Sequence, residues 1–532
     1  MGFLRDLYNI TQPDYQPRKP NRGHAGPPMV RPGMSSGRYF RRSGASIQGT
    51  MSNWLSAIIN ARIAEKERRK VSDRAWDLYT NDAMSHGLLE SFLVEIVGTG
   101  LTPQSRPMLR WLDLDSEWQE EYQAKNYDLF EIWGLDIRNF CDAQRRLNIY
   151  MLQALALFHW KLDGIGVFQV ISKQEPNRPL SLSILPIDAS RLVTPTDLKS
   201  REDVYDGLVL DSNGAPTAAY VLKAGKKFPG SARSEDCTKV PVYDEKTGLP
   251  KLLLVCDVRN IAEYRQDSVL GPMIKEIKDS NDLSDAAIVK TLLNTLIALF
   301  IEDTMGTQRQ ALPIDQRIQE IEKGTIIFGS AGERPHSITN DAPGAGYGEI
   351  NEAIIGRLGM STCRGPESIS KAYKASYSAS QASIENAGKY DDVDRAILTN
   401  QFCQPIEVWK QYEAAIRGLI QVKSIPHFLD NLHAYTRTVW FPPKLRPIDK
   451  LKAARADDVR LGNNTLTYSD VYGERSMDWR AALRQRAVEL AYIQELEREF
   501  GINMIDRQEQ DPDRGAQPIQ APQEPEDDDQ EE

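Results

Sequence analysis

The sequence predicts an α+β chain in which helices come first, an antiparallel β region follows, and helices return. Apolar residues recur at helical spacing from Met51 to Phe140. They alternate or form short runs from Ile165 to about residue 260, and the helical period resumes at Pro272. The chain has 532 residues, too many for one core, and the usual size of a domain gives three to four folding units. A hydrophobic content of 41% excludes wholesale disorder.

In the first helical part, Trp54, Ile58, Ile59 and Ile63 share a face of a helix over 51–70. Ser72 and Asp73 carry capping chemistry for a second helix through Tyr79, and Asp82 to Val97 reads as a third, stopped by Gly98 and Gly100. Residues Arg110 to Phe140 hold Trp111, Trp118, Tyr122, Tyr127, Phe130 and Trp133, an aromatic-rich set at helical spacing.

In the β region, Gly166-Val-Phe-Gln-Val-Ile-Ser and Leu180-Ser-Leu-Ser-Ile-Leu read as strands. Asn213-Gly214 supplies the positive φ values of a hairpin turn between Gly207-Leu-Val-Leu and Ala218-Ala-Tyr-Val-Leu. Ala224 to Pro250 is rich in Lys, Gly and Pro and reads as a long loop.

Pro272 to Ile301 then reads as one long helix whose second half is apolar nearly all round, which calls for neighbours on every side. A short helix (Ile314 to Lys323), a strand from Gly324, a Gly/Pro-rich connection and a helix over Glu349 to Met360 follow. Ser378 with Gln381 fits a capping box for a long helix towards Ile420, bent at Pro405, where a backbone donor is missing. Trp479, Leu483, Ala487 and Leu490 mark one face of a last helix ending near Phe500.

Charge is divided unevenly. The net formal charge is −10, yet residues 1–50 carry +6 and residues 511–532 carry −8. Both tails are too polar to bury a core and are expected to be disordered; the basic one suits phosphates or an acidic partner, or simply solubilises the chain. Nowhere do about 18 apolar residues run together, so no membrane span is expected. The N-terminus lacks the pattern of a secretory signal, and five scattered cysteines without a CxxC pair fit reduced thiols in a cytosolic setting.

Catalytic chemistry finds little footing. Gly33-Met-Ser-Ser-Gly37 matches the nucleophile-elbow spacing but sits in a Pro/Arg-rich tail without the flanking strand and helix, and no phosphate-binding loop is present. No His/Cys spacing suits zinc. Asp391-Asp-Val-Asp394 offers clustered carboxylates for a divalent cation, although on a helix Asp391 and Asp392 point about 100° apart and a solvated face is the simpler reading. Lys371 and Lys374, interleaved with Tyr373 and Tyr377 among small residues, could face a polyanion, although two lysines alone are more often plain exposed surface.

Several blocks resemble one family. They are Arg74-Ala-Trp-Asp-Leu-Tyr-Thr-Asn-Asp through Val97-Gly-Thr-Gly-Leu-Thr-Pro, then Glu367-Ser-Ile-Ser-Lys-Ala-Tyr-Lys-Ala-Ser-Tyr-Ser-Ala-Ser-Gln-Ala-Ser, and Pro447-Ile-Asp-Lys-Leu-Lys with Gly462, Thr465, Gly473 and Asp478-Trp479. In order and spacing these resemble the lambda-type portal proteins of tailed double-stranded DNA bacteriophages. The resemblance implies a ring-forming, portal-type subunit: a mixed α/β wing (51–268), two stem helices (269–301 and 346–360) around a small α/β clip (302–345), and a tunnel loop (361–378). A long wing helix and its return (379–449) and a helical crown (450–505) complete it, between the basic arm (1–50) and the acidic tail (506–532).

It further implies a homododecamer at the portal vertex of the virion, assembled in the host cytoplasm, through which DNA is packaged and ejected. The expected partners are other copies of the chain, double-stranded DNA without sequence preference, terminase, a major capsid or scaffolding protein and a head-tail adaptor. Lys371, Lys374, Tyr373 and Tyr377 would lie in the tunnel loop against DNA. No catalytic residue, metal, cofactor or membrane is implied. The competing readings are another tail or minor capsid protein, and a metal-dependent nucleic-acid-processing enzyme built on Asp391 and Asp394.

Overall fold

A computed structural model describes residues 61–225, 229–261, 263–295, 299–303, 333–337, 346–372, 377–442, 450–475 and 477–502. Helix α1 (Ala61–Asn81) runs without interruption. The break expected at Ser72 is absent because the Ser72 hydroxyl donates to Asp163 at 2.5 Å instead of capping a helix. Asp82 does cap α2 (Ala83–Phe92), accepting from the Ser85 amide at 2.7 Å, and a π turn (Leu93–Val97) carries the chain to Gly98. After strand β1 (Thr102–Ser105), helix α3 (Ser116–Gly134) is capped by Asp115 and α4 (Ile149–Asp163) by Asn148. At the end of α4, Gly164 has φ +77° and lies so close to the Gln266 carbonyl that no side chain fits there.

The β region is antiparallel throughout its ladders. Strand β2 (Gly166–Ser172) is central between β3 (Leu182–Ile187) and β8 (Leu252–Val255), with Val167 opposite both Ile187 and Leu254. Its run of apolar residues is buried because helices cover it; the Phe168 ring meets Phe402 edge-on at 4.8 Å. The second sheet is a meander of β4 (Val204–Tyr205), β5 (Leu208–Leu210), β6 (Pro216–Leu222) and β7 (Cys237–Pro241). The β5–β6 turn falls where expected, but of the pair only Gly214 has positive φ, +84°; the Asp211 carboxylate accepts from the Asn213 and Ala215 amides, each at 2.8 Å. Strand β7 corrects the reading of residues 224–250 as a loop. Only Cys237 and Val240 of its five residues are buried, so it leaves no period-2 pattern.

Helix α5 (Ile274–Thr295) stops short of the expected Ile301. Leu299–Asp303 is instead strand β9, paired antiparallel with β10 (Glu333–Ser337), a segment to which the sequence assigns no element. Leu299, Phe300 and Ile301 suit a strand as well as a helix, and their partner strand decides. The helix and strand expected over 314–329 lie outside the described residues.

Helix α6 (Gly346–Thr362), the short α7 (Pro366–Ser370) and α8 (Tyr377–Leu398) come next, with Ser378 inside α8 rather than at its cap. Before α9 (Gln404–Ile416) a π turn (Thr399–Cys403) takes up the irregularity that Pro405 imposes. Strand β11 (Thr438–Phe441) pairs with β1, and α10 (Lys450–Gly462), α11 (Tyr468–Gly473) and α12 (Trp479–Phe500) follow. Asp478 caps α12, yet no residue of α12 is buried. No helix among the described residues is long and apolar enough to cross a membrane.

The main core gathers α1, α2, α4, the β2 sheet and the α8–α9 junction around Trp133, Trp160, Phe168 and Phe402. Trp133 donates its indole N–H to the Leu182 carbonyl at 3.0 Å. Asp163 ties α4 to α1, accepting from Ser72 and from the Trp76 indole at 2.8 Å, with His159 Nδ1 at 2.7 Å on its second oxygen. Burial pushes this carboxyl up, but the bonds from His159, Ser72 and Trp76 together outweigh it and hold it below the usual aspartate range. Its stabilisation is therefore present above the unfolded pKa and lost as pH falls through the depressed folded value. Asp163→Asn should cost about 1–3 kcal/mol at neutral pH, with the gap to the parent closing below about pH 4; thermal unfolding midpoints across that range check it.

Candidate functional site

The stretch from the end of α6 to the start of α8 contains the cations that the sequence singled out. Helix α6 closes with Cys363 at φ +58° and the Arg364 amide bonded to the Gly359 carbonyl at 2.9 Å, the six-to-one bond of a Schellman end. Pro366 opens α7 and Lys371 ends it at φ +55°. Two non-glycine residues thus stand in the left-handed region, each at roughly 1–2 kcal/mol, and something must hold them.

Arg364 does so. Its side chain is 2% exposed and forms ion pairs with Asp391 of α8 and Glu95 of the π turn. The guanidinium also lies over the Phe92 ring at 4.5 Å. Asp391 is 6% exposed, and burial pushes its carboxyl upward against the pull of Arg364 and Arg395. Arg395 donates to the carbonyls of Ile96 and Glu95 at 3.1 and 3.0 Å, satisfying oxygens that the π turn leaves open. Ile369 buries its side chain in the main core, and Ser380 donates to Glu367 at 2.9 Å, joining α8 to α7.

Of the four residues expected to meet DNA, Lys371 is exposed and makes no ion pair among the described residues. Tyr373 and Lys374 lie outside the described residues, and Tyr377 is the first residue of α8.

The Asp391 to Asp394 cluster is spent on protein cations. Asp391 pairs with Arg364, Asp392 with Arg395, and Asp394 with Lys161 Nζ at 2.7 Å. The solvated-face reading holds for Asp392 alone, since Asp391 and Asp394 are largely covered. Among the described residues no group of three His, Cys, Asp or Glu converges as metal ligands. The motif at Gly33 to Gly37 is outside the described residues.

Sequence reasoning missed Arg364. A single arginine between Cys363 and Gly365 carries no local signal, because its partners stand 27 and 269 positions away.

A family model described as phage portal protein, lambda family, matches residues 48–393. The chain belongs to that family. The portal family is structural rather than enzymatic, and the chain is accordingly a virion component that forms the connector at a capsid vertex. The matched span includes α1 to most of α8, whereas the late block from Pro447 to Trp479 lies beyond it.

No curated protein matches. Among solved structures, a chain from the virion of a native gene transfer agent particle is 10% identical, with 80% of this chain and 97% of that chain covered and a TM-score of 0.40. Chains from the neck of the native particle, computed with C12 symmetry, and of the empty particle, computed with C6 symmetry, give 10% and 11% identity and TM-scores of 0.39 and 0.40. They cover 79% and 78% of this portal protein and 94% of their own chains.

Arg364→Met would leave Asp391 and Glu95 without their guanidinium inside the fold. A loss of about 3–5 kcal/mol is expected. In a double-mutant cycle, adding Asp391→Asn should return at least about 1 kcal/mol of it, as read by denaturant midpoints.

Proposed function

We propose that copies of this portal protein close into a ring, twelve in the particle, with the segment 361–378 lining a channel for double-stranded DNA. Residues 51–268 then form the wing, α5 and α6 the stem, 302–345 the clip and 450–505 the crown. The family match across 48–393 carries this reading. Three structural features support it. Helix α5, the β9–β10 pair and α6 follow the order helix, small β unit, helix, with β9 and β10 side by side so that the chain leaves and returns at one place.

Ile288 and Val289 on α5 are 60% and 55% exposed in the single chain, an apolar surface that a neighbouring copy would cover. Lys371 is left exposed at the end of α7, held by the Arg364 anchor rather than by its own contacts. A cation presented in this way attracts phosphates without reading sequence, as sliding DNA requires.

Terminase, a head-tail adaptor and a capsid or scaffolding protein are the partners such a ring would dock. Their surfaces follow from the assembly and not from any one side chain described above.

Purified protein viewed in negative stain should show uniform rings with a central hole; a stable monomer at micromolar concentration would sink the proposal. Lys371→Glu with Lys374→Glu should leave those rings intact while lowering the DNA content of particles. Normal genome content with both changes present would refute the channel role.

A further inference from the structure

A cavity of about 670 Å³ lies between α3, the β1–β11 pair and the start of α12, away from the segment just discussed. Its shape is set by two close approaches. Gly473 at the end of α11 lies against the Phe441 ring, where any side chain would collide. Arg480 of α12 reaches α3 through Gln123 at 2.9 Å and Glu120 at 3.2 Å.

Two polar groups of the lining are buried, and one of them has an unspent acceptor. Glu407 is 2% exposed, and its Oε1 accepts from Lys410 Nζ at 2.9 Å and Gln411 Nε2 at 2.8 Å. Asn126, also 2% exposed, donates its Nδ2 to the Tyr122 carbonyl at 2.9 Å, and its Oδ1 is buried with no hydrogen-bond partner. An orphaned buried acceptor costs about 1–3 kcal/mol, so an occupant that donates hydrogen bonds is favoured.

The charge around these groups has one sign in excess. Five carboxylates and two guanidiniums line the cavity. Of the carboxylates, Asp478 is committed to capping α12, but Asp128 and Glu131 stand on the α3 wall. Burial, followed by the nearby Glu131 carboxylate, raises the Tyr127 phenol well above its ordinary value. Pro103, Phe441 and Met477 add an apolar wall suited to methylene groups.

We propose that this cavity binds a cationic nitrogen group, guanidinium or primary ammonium, carried on an alkyl stem. Such a group donates several hydrogen bonds at once, matches the acceptor-rich floor, and lays its stem on the apolar wall. An anion is repelled, and a neutral apolar ligand leaves Asn126 Oδ1 unsatisfied. The chemistry is that of an arginine or lysine side chain offered by another chain, or of a free polyamine. The proposal is independent of the channel reading, since the cavity shares no residue with 361–378.

Calorimetric titration of the full-length protein at constant ionic strength tests it, with ethylguanidinium and spermidine as probes and propionate as the anionic control. At least one cation should bind saturably, one per chain, and propionate should not. Asp128→Asn with Glu131→Gln, both on the exposed wall and outside the buried floor, should keep the circular dichroism spectrum and weaken binding about tenfold. Spermidine binding at least tenfold tighter than ethylguanidinium would assign a free polyamine; ethylguanidinium binding as well or better would assign a protein side chain. No saturable binding of either cation, or binding unchanged in the double variant, overturns the proposal.

Discussion

The turn that leads into α7 is fixed by one guanidinium. Arg364 is withdrawn from water and neutralised from two sides, by Asp391 on α8 and by Glu95 in the π turn after α2, with Phe92 beneath it. Without that clamp, the two left-handed residues on either side of α7 would have no reason to keep their conformations. A buried pair is a weak source of net stability, because desolvation offsets much of the attraction, but losing one partner is expensive. Arg364 therefore works as a locating pin, fixing where the chain turns rather than how tightly the domain folds.

The same device recurs at several joints between elements distant in sequence. Lys161 of α4 meets Asp394 of α8, Arg68 of α1 meets Asp206 in the β4–β5 turn, and the fully buried Lys410 meets Glu407 within α9 while also donating to the Asn126 carbonyl of α3. Asp163 does the work with a carboxylate set against Ser72, Trp76 and His159. Apolar packing around Trp133, Trp160 and Phe402 supplies the bulk of the cohesion, and these polar ties choose among the ways in which apolar faces could slide.

Local chemistry was legible in the sequence and long-range chemistry was not. The turn at Asn213-Gly214 and the helix beginning at Asp82 depend on residues a few positions apart, and the structure has both where the sequence placed them. Ser72 shows the limit: a residue with the right chemistry for a cap is taken by Asp163, 91 positions away. Strand β7 and the β9–β10 pair escaped detection because a short strand is defined by its partner more than by its own pattern. Asp391 to Asp394 looked like a solvated face or a metal cluster and proved to be three separate ion pairs, since its cations come from other elements. The family, by contrast, was readable because several blocks keep their order over hundreds of residues, and the family model confirms it across 48–393.

The most direct measurement is a cryo-electron microscopy map of the assembled protein, resolved well enough to trace α7 and α8. A portal arrangement predicts a closed ring in which Lys371 points to the central hole and Arg364 bridges Glu95 and Asp391 within each subunit. Lys371 on the outer rim of the ring, or Arg364 unpaired in solvent, would contradict it.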